Sequence, residues 1–155
     1  MSIALAFKKS AAEPHNIFGQ AISAKTGSIY CHVECWISGP QNAALCFSSR
    51  EPHGAGWATI DLTDAAMWDI VPLDLTPEQE IAIHGFCCGC DGKRYDALGI
   101  VGIAVGAELH DYSQVFCSEV CASMLKQCAG KDLGGKHAWQ IWPGELYEMA
   151  TTQRW

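Results

Sequence analysis

Alternation and helical spacing divide the chain before any chemistry is considered. "IYCHVECWI", Ile29 to Ile37, alternates with period two, which predicts a strand carrying Cys31, Val33 and Cys35 on one face and His32, Glu34 and Trp36 on the other. "SGPQN" follows as a turn and "AALCFSS" as a second strand. A hairpin centred near Pro40 or Gln41 brings Ser48 or Ser49 opposite His32. "GWATIDL" and "WDIVPLDL" read as two further strands. The period then changes. Thr76 reads as an N-cap and Pro77 as the first helical residue, while Gln79, three residues after the cap, completes a capping box that leads into "EQEIAIHGFCC". "CDGKRYDALG" reads as a loop before a short helix, and "ALGIVGIAVGA", Ala97 to Ala107, as a buried helix or strand-like core segment. From Val115 to Gln127, apolar positions at Cys117, Val120, Cys121, Met124 and Leu125, continued by Cys128, build one helical stripe that Gly130 ends. "PGELYEMA" reads as a last short helix starting at Pro143. Helix, strands, helices is an α+β order, not the regular alternation of a doubly wound sheet. No repeat or linker marks a boundary, so the expectation is a single domain over residues 1–155.

Charge narrows the range of partners. The net charge is -7 and the ten Lys and Arg are scattered, so the cationic footprint that a phosphate backbone requires is missing. Nucleic acid and anionic membrane surfaces are not expected partners. The segment Ala97 to Ala107 is too short to span a bilayer, so no transmembrane segment is expected. In "MSIALAFKKS" the charges follow a short apolar run, which is not the layout of a signal peptide. Together with nine cysteines, an odd number, this predicts reduced thiols in a cytoplasmic setting.

Cysteine abundance invites a metal site, but the spacing argues against one. Structural zinc wants two pairs of ligands, each with a gap of two to four residues. "CCGC" supplies Cys87, Cys88 and Cys90 without a clean pair, and the alternation of "CHVEC" sends its histidine away from both its cysteines. No metal and no cofactor are expected. Thiol catalysis needs less: one cysteine in a setting that favours thiolate, one histidine in reach and a group to orient the ring. Among the cysteines of the last stripe, Cys117 stands at the helix start, where unpaired N–H groups and the macrodipole favour an anion. Cys121 and Cys128, one and three turns on, read as packing. His32 sits mid-strand, where a rigid backbone aims its side chain, and shares a face with Glu34. The histidines at 15, 53, 84, 110 and 137 fall in loops or helices without a comparable pattern.

Four segments in this order resemble a known family. "TGSIYCHVECWISG" is similar to the histidine strand, "KRYDALGIVG" to the Tyr-Asp-x-x-Gly segment, "FCSEVCASML" to the Cys-Ser-Glu helix and "WPGELYEM" to the closing Pro-Gly-Asp-Leu of the circularly permuted papain-like thiol hydrolases. These are NlpC-type, YiiX/YaeF-like proteins related to lecithin retinol acyltransferase. With the opening "IALAFKK", the likeness spans nearly the whole chain. The resemblance implies a permuted papain-like α+β fold, an antiparallel sheet packed against a helix that starts with the nucleophile. It implies Cys117 as nucleophile and His32 as general base, and it puts the third polar residue on the second strand, where Ser48 or Ser49 stands; since a serine orients an imidazole less firmly than a carboxylate, Glu34 is read as the third residue, with Glu51, Ser48 and Ser49 as alternatives. Cys31 departs from the family, which usually has serine before the histidine. The implied activity is hydrolysis of an amide or ester, acyl or cell-wall peptide, through an acyl-enzyme. The substrate is then a small molecule, lipid or peptide, with the oligomeric state left open. Similar small members of tailed-phage genomes imply a phage or prophage origin. The alternative is a non-catalytic phage structural or host-interaction protein that keeps the fold. Tyr30, Trp36, Phe47, Trp57 and Phe116, without a cluster of arginines, are expected to wall the site and favour acyl groups over anionic peptides.

Overall fold

The computed structural model describes residues 3–12, 17–97, 100, 113–153 and 155. The described chain opens with a strand, β1 (Ala4–Lys9), followed by helix α1 (Ile17–Thr26). Four strands follow, β2 (Tyr30–Ser38), β3 (Ala44–Arg50), β4 (Gly54–Ile60) and β5 (Trp68–Pro72), and then helix α2 (Pro77–Cys90). The short strands β6 (Arg94–Tyr95) and β7 (Gln114–Val115) precede helices α3 (Cys117–Ala129) and α4 (Pro143–Thr152). The α+β class holds, while the helix-first order expected from the sequence is corrected to strand first. Most of the segment Ala97 to Ala107, and the short helix expected there, lies outside the described residues.

Strands β1 to β5 form one antiparallel sheet in the order β4-β3-β2-β1-β5. β1 lies between β2 and β5 and is covered on both faces. Ile3, Leu5 and Phe7 enter the core under the helices, while Ala6 packs on the opposite face with Ala44, Cys46, Leu62 and Trp68. A doubly covered strand reads as an apolar run, which periodicity alone does not separate from a buried helix.

The main core lies between the sheet and α2, α3 and α4. Val33, Cys35, Ile37 and Phe47 from the sheet meet Ile83, Cys87, Val120, Cys121, Met124 and Leu146 from the helices. Each fully buried Leu or Phe there contributes roughly 2–3 kcal/mol. Local chemistry explains the helix ends. Thr76 Oγ1 accepts from Gln79 N, Gln79 Oε1 accepts from Thr76 N, and Pro77 occupies the first turn, so α2 begins as the capping box predicts. α3 ends at Gly130, whose φ of 65° is left-handed. It begins two residues later than the stripe suggests, because Val115 is extended and pairs in parallel with Tyr95. That pair is held against the sheet through Gly54 (φ 83°), where a Cβ would stand 2.1 Å from the Lys93 carbonyl oxygen. Ala55 N donates to that oxygen at 2.8 Å. No helix among the described residues is long and apolar enough to cross a membrane.

Candidate active site

The site grows from two elements. α3 presents Cys117 as its first residue, and β2 presents His32 and Glu34, two positions apart on one side of the strand. The tether into α3 is short and doubly pinned. Ser49 Oγ donates to the Val115 carbonyl at 2.6 Å and Asp96 N to the same oxygen at 3.2 Å. Phe116, extended at the N-cap, has no side-chain acceptor to cap the helix, and Glu119 reaches back to accept from Phe116 N at 3.4 Å. The helix start therefore keeps orphan N–H groups beside the thiol.

Cys117 lies close enough to the His32 ring to raise its proton affinity. His32 Nε2 lies 2.7 Å from Glu34 Oε1. Burial opposes charge on the ring, whose side chain is 19% exposed. Cys117 and Glu34 outweigh that and push His32 up to about 10, so the ring carries a proton at neutral pH. Glu34 is 1% exposed and is met by Arg50, which donates from Nε to Oε1 at 2.7 Å and from Nη2 to Oε2. Arg50 also donates from Nη1 to the Gly56 carbonyl at 2.9 Å.

Three of the named candidates, Cys117, His32 and Glu34, are thus brought together. The alternatives for the third position are not. Ser48 Oγ donates to the Val33 carbonyl at 2.6 Å and Ser49 Oγ to Val115, so both hydroxyls are spent on backbone and neither turns to the imidazole. Continued from Cys35 opposite Phe47, the hairpin register brings Arg50, and neither Ser48 nor Ser49, opposite His32. Glu51 is exposed in the turn after β3.

Arg50 was missed by sequence reading because its partnership depends on strand register. Tyr95 was missed because a two-residue parallel pair leaves no periodic trace. It stands across from Val115, and burial first, then the Cys117 charge, push its hydroxyl well above the usual phenol range.

The other thiols divide by depth. All nine are free. Cys31, Cys35 and Cys121 are buried as expected, whereas Cys128 is half-buried, a correction, because it lies where the stripe meets the rim of α2 and donates to the Ala82 carbonyl. Burial pushes Cys35 and Cys121 well above the ordinary thiol range and Cys87 up to about 12. The expected aromatic walls are also corrected. Phe47 and Phe116 are buried core, Phe47 edge-on to Trp57, and Tyr30 packs on Phe7 and Tyr147. Phe116 instead carries a separate apolar cluster beside Cys117, with Ile22, Ile100, Tyr95, Trp139 and Trp142. Next to that cluster Glu119 is pushed up to about 7, first by burial and then by the neighbouring Asp96 carboxylate.

The antiparallel sheet with helices packed on it is an α+β fold, consistent with the YiiX-like fold. Among solved structures the chain is similar to the metalloprotein YiiX of Escherichia coli O157:H7, DUF1105, at 17% identity and a TM-score of 0.60, over 84% of this chain and 67% of that one. At that identity the likeness is one of fold. No family model and no curated protein matches the chain. Among the described residues no group of three or more His, Cys, Asp or Glu is arranged to hold a metal ion.

Proposed function

We propose that the chain is a cysteine-dependent hydrolase of permuted papain-like type, cutting an amide or ester. The observation that carries this reading is His32, bonded to the buried Glu34 carboxylate and close enough to Cys117 to feel its charge. The sequence motifs and the YiiX-like fold support it together.

On this reading His32 holds the proton that the thiol gives up, and Cys117 attacks a carbonyl carbon as the nucleophile. Negative charge then develops on the carbonyl oxygen, and the uncapped N–H groups at the start of α3, that of Cys117 included, stabilise it. Collapse expels an amine or alcohol that takes its proton from His32 and leaves a thioester on Cys117. Water attacks the thioester, His32 receives its proton, and the acid is released. Glu34 holds the ring in one orientation throughout.

The apolar cluster around Phe116 and the net charge of -7 favour an acyl group over a strongly anionic peptide. The cytoplasmic setting expected from the cysteine count is part of the same proposal, while a phage origin rests on the sequence resemblance alone. The test is turnover by the purified protein and its Cys117→Ala variant on a fluorogenic acyl ester and on a muropeptide. Cys117-dependent release from the ester is expected. Release from the muropeptide alone would reverse the substrate order, and no Cys117-dependent release, with sluggish and uniform iodoacetamide labelling, would point to a non-catalytic protein.

A further inference from the structure

We infer that Arg50 is a positioning residue for the hydrolase proposed above: its guanidinium grips both oxygens of Glu34 and so fixes the carboxylate that holds His32 against Cys117. The inference rests on that reading of Cys117 and His32.

Glu34 reaches His32 along the same strand through a side chain with three rotatable torsions. A carboxylate bound at one oxygen only is free to turn about its last bond and to swing away from the ring. Arg50 removes that freedom. Its Nε and Nη2 engage Oε1 and Oε2 together, the parallel two-bond geometry that a planar guanidinium provides and an ammonium does not. The fork is itself anchored, because Nη1 donates to the carbonyl of Gly56 on β4, and Gly56 pairs with Ser48 of β3. Orientation therefore passes from the β3–β4 ladder through Arg50 to Glu34 and on to the imidazole. Arg50 also balances the charge that Glu34 carries into a nearly closed site.

Other groups face this assembly. Lys8 of β1 lies opposite His32, Cys46 lies on β3, and Cys117 and Cys121 lie on α3. The thiols of Cys46 and Cys121, raised chiefly by burial, also feel the Glu34 charge. Losing the fork frees Glu34 to swing away from the imidazole and weakens its hold on the imidazolium facing Cys117, so a pH profile reads the role where a stability measurement alone would not.

The experiment measures iodoacetamide alkylation of Cys117 against pH in the full chain, with exposed Cys88 as internal reference. In Arg50→Met the acid limb is expected to move up by about one pH unit or more, the scale set by losing an opposite charge at contact distance. Arg50→Lys is expected to return most of the limb, since it restores the charge, but not the full rate, since it lacks the fork. In a Glu34→Gln background, adding Arg50→Met is expected to change nothing further, because the residue acts through Glu34. A folded Arg50→Met protein with an unmoved limb overturns the inference. So does a further shift of half a pH unit or more in the Glu34→Gln background. If Arg50→Met does not fold, the comparison of Glu34→Gln with the double variant decides alone. Wild-type Cys117 reacting no faster than Cys88 sinks the hydrolase reading itself, and the His32 ring titration followed by NMR then judges Arg50 through the same set of variants.

Discussion

Cys117 and Cys121 lie one turn apart on α3 and are both almost fully buried, at 3% and 1%. Their neighbours differ. Cys121 faces Cys35, Cys87 and the core under the sheet, where burial raises its thiol far above the ordinary range. Cys117 faces His32, at a helix end that keeps its N–H groups uncapped. Burial therefore does not tell these two thiols apart. What separates them is what stands beside each, the His32 ring and the helix start by Cys117 and other thiols by Cys121.

The largest effect that breaks or confirms this contrast is on turnover. Cys117→Ala is expected to lower hydrolysis by about a thousand-fold or more. Cys121→Ala is expected to stay within about two-fold, since it touches packing only. If Cys121→Ser removed turnover and Cys117→Ser did not, the roles would be exchanged.

Next in size is the pH dependence of stability. His32 is raised from 6.5 to about 10 in the folded state. Its contribution is then fully present below about 6.5, where both states hold the proton, and is lost as the pH rises through about 10. Urea unfolding of the wild type and His32→Gln across that window is expected to show an advantage of a few kcal/mol for the wild type near pH 6, shrinking toward pH 10. A constant difference would mean that the ring gains no proton from its neighbours.

A smaller effect sharpens the packing side. Cys121→Ala empties space beside Cys35 and Cys87 and is expected to cost about 1–2 kcal/mol in urea unfolding, with the pH profile of Cys117 alkylation unchanged.

The smallest concerns Glu119, on the same helix and raised to about 7. An acid raised on folding contributes stability below its unfolded value of 4.5, and that contribution is lost as the pH climbs through about 7. Glu119→Gln keeps an acceptor for Phe116 N and removes the charge facing Asp96. It is expected to stabilise the protein by about 1 kcal/mol at pH 8 and to do nothing at pH 4, read as the difference in unfolding midpoint.

What the sequence settled by itself was local. Thr76, Pro77 and Gln79 start α2, and Gly130 ends α3, because caps and left-handed turns involve residues within a few positions of one another. His32 and Glu34 could be paired on one side of β2 because a strand repeats every two residues. The tertiary structure decided whatever lies across the chain. It placed β1 between β2 and β5, where burial on both faces erases alternation. It set the β2–β3 register that sends Ser48 to a backbone carbonyl and Arg50 to Glu34. It also brought Tyr95 beside Val115 and so fixed where α3 begins. Periodicity records which face a residue occupies, and nothing in it records which residue of another strand will stand opposite. That depends on register and packing, which exist only once the sheet has formed.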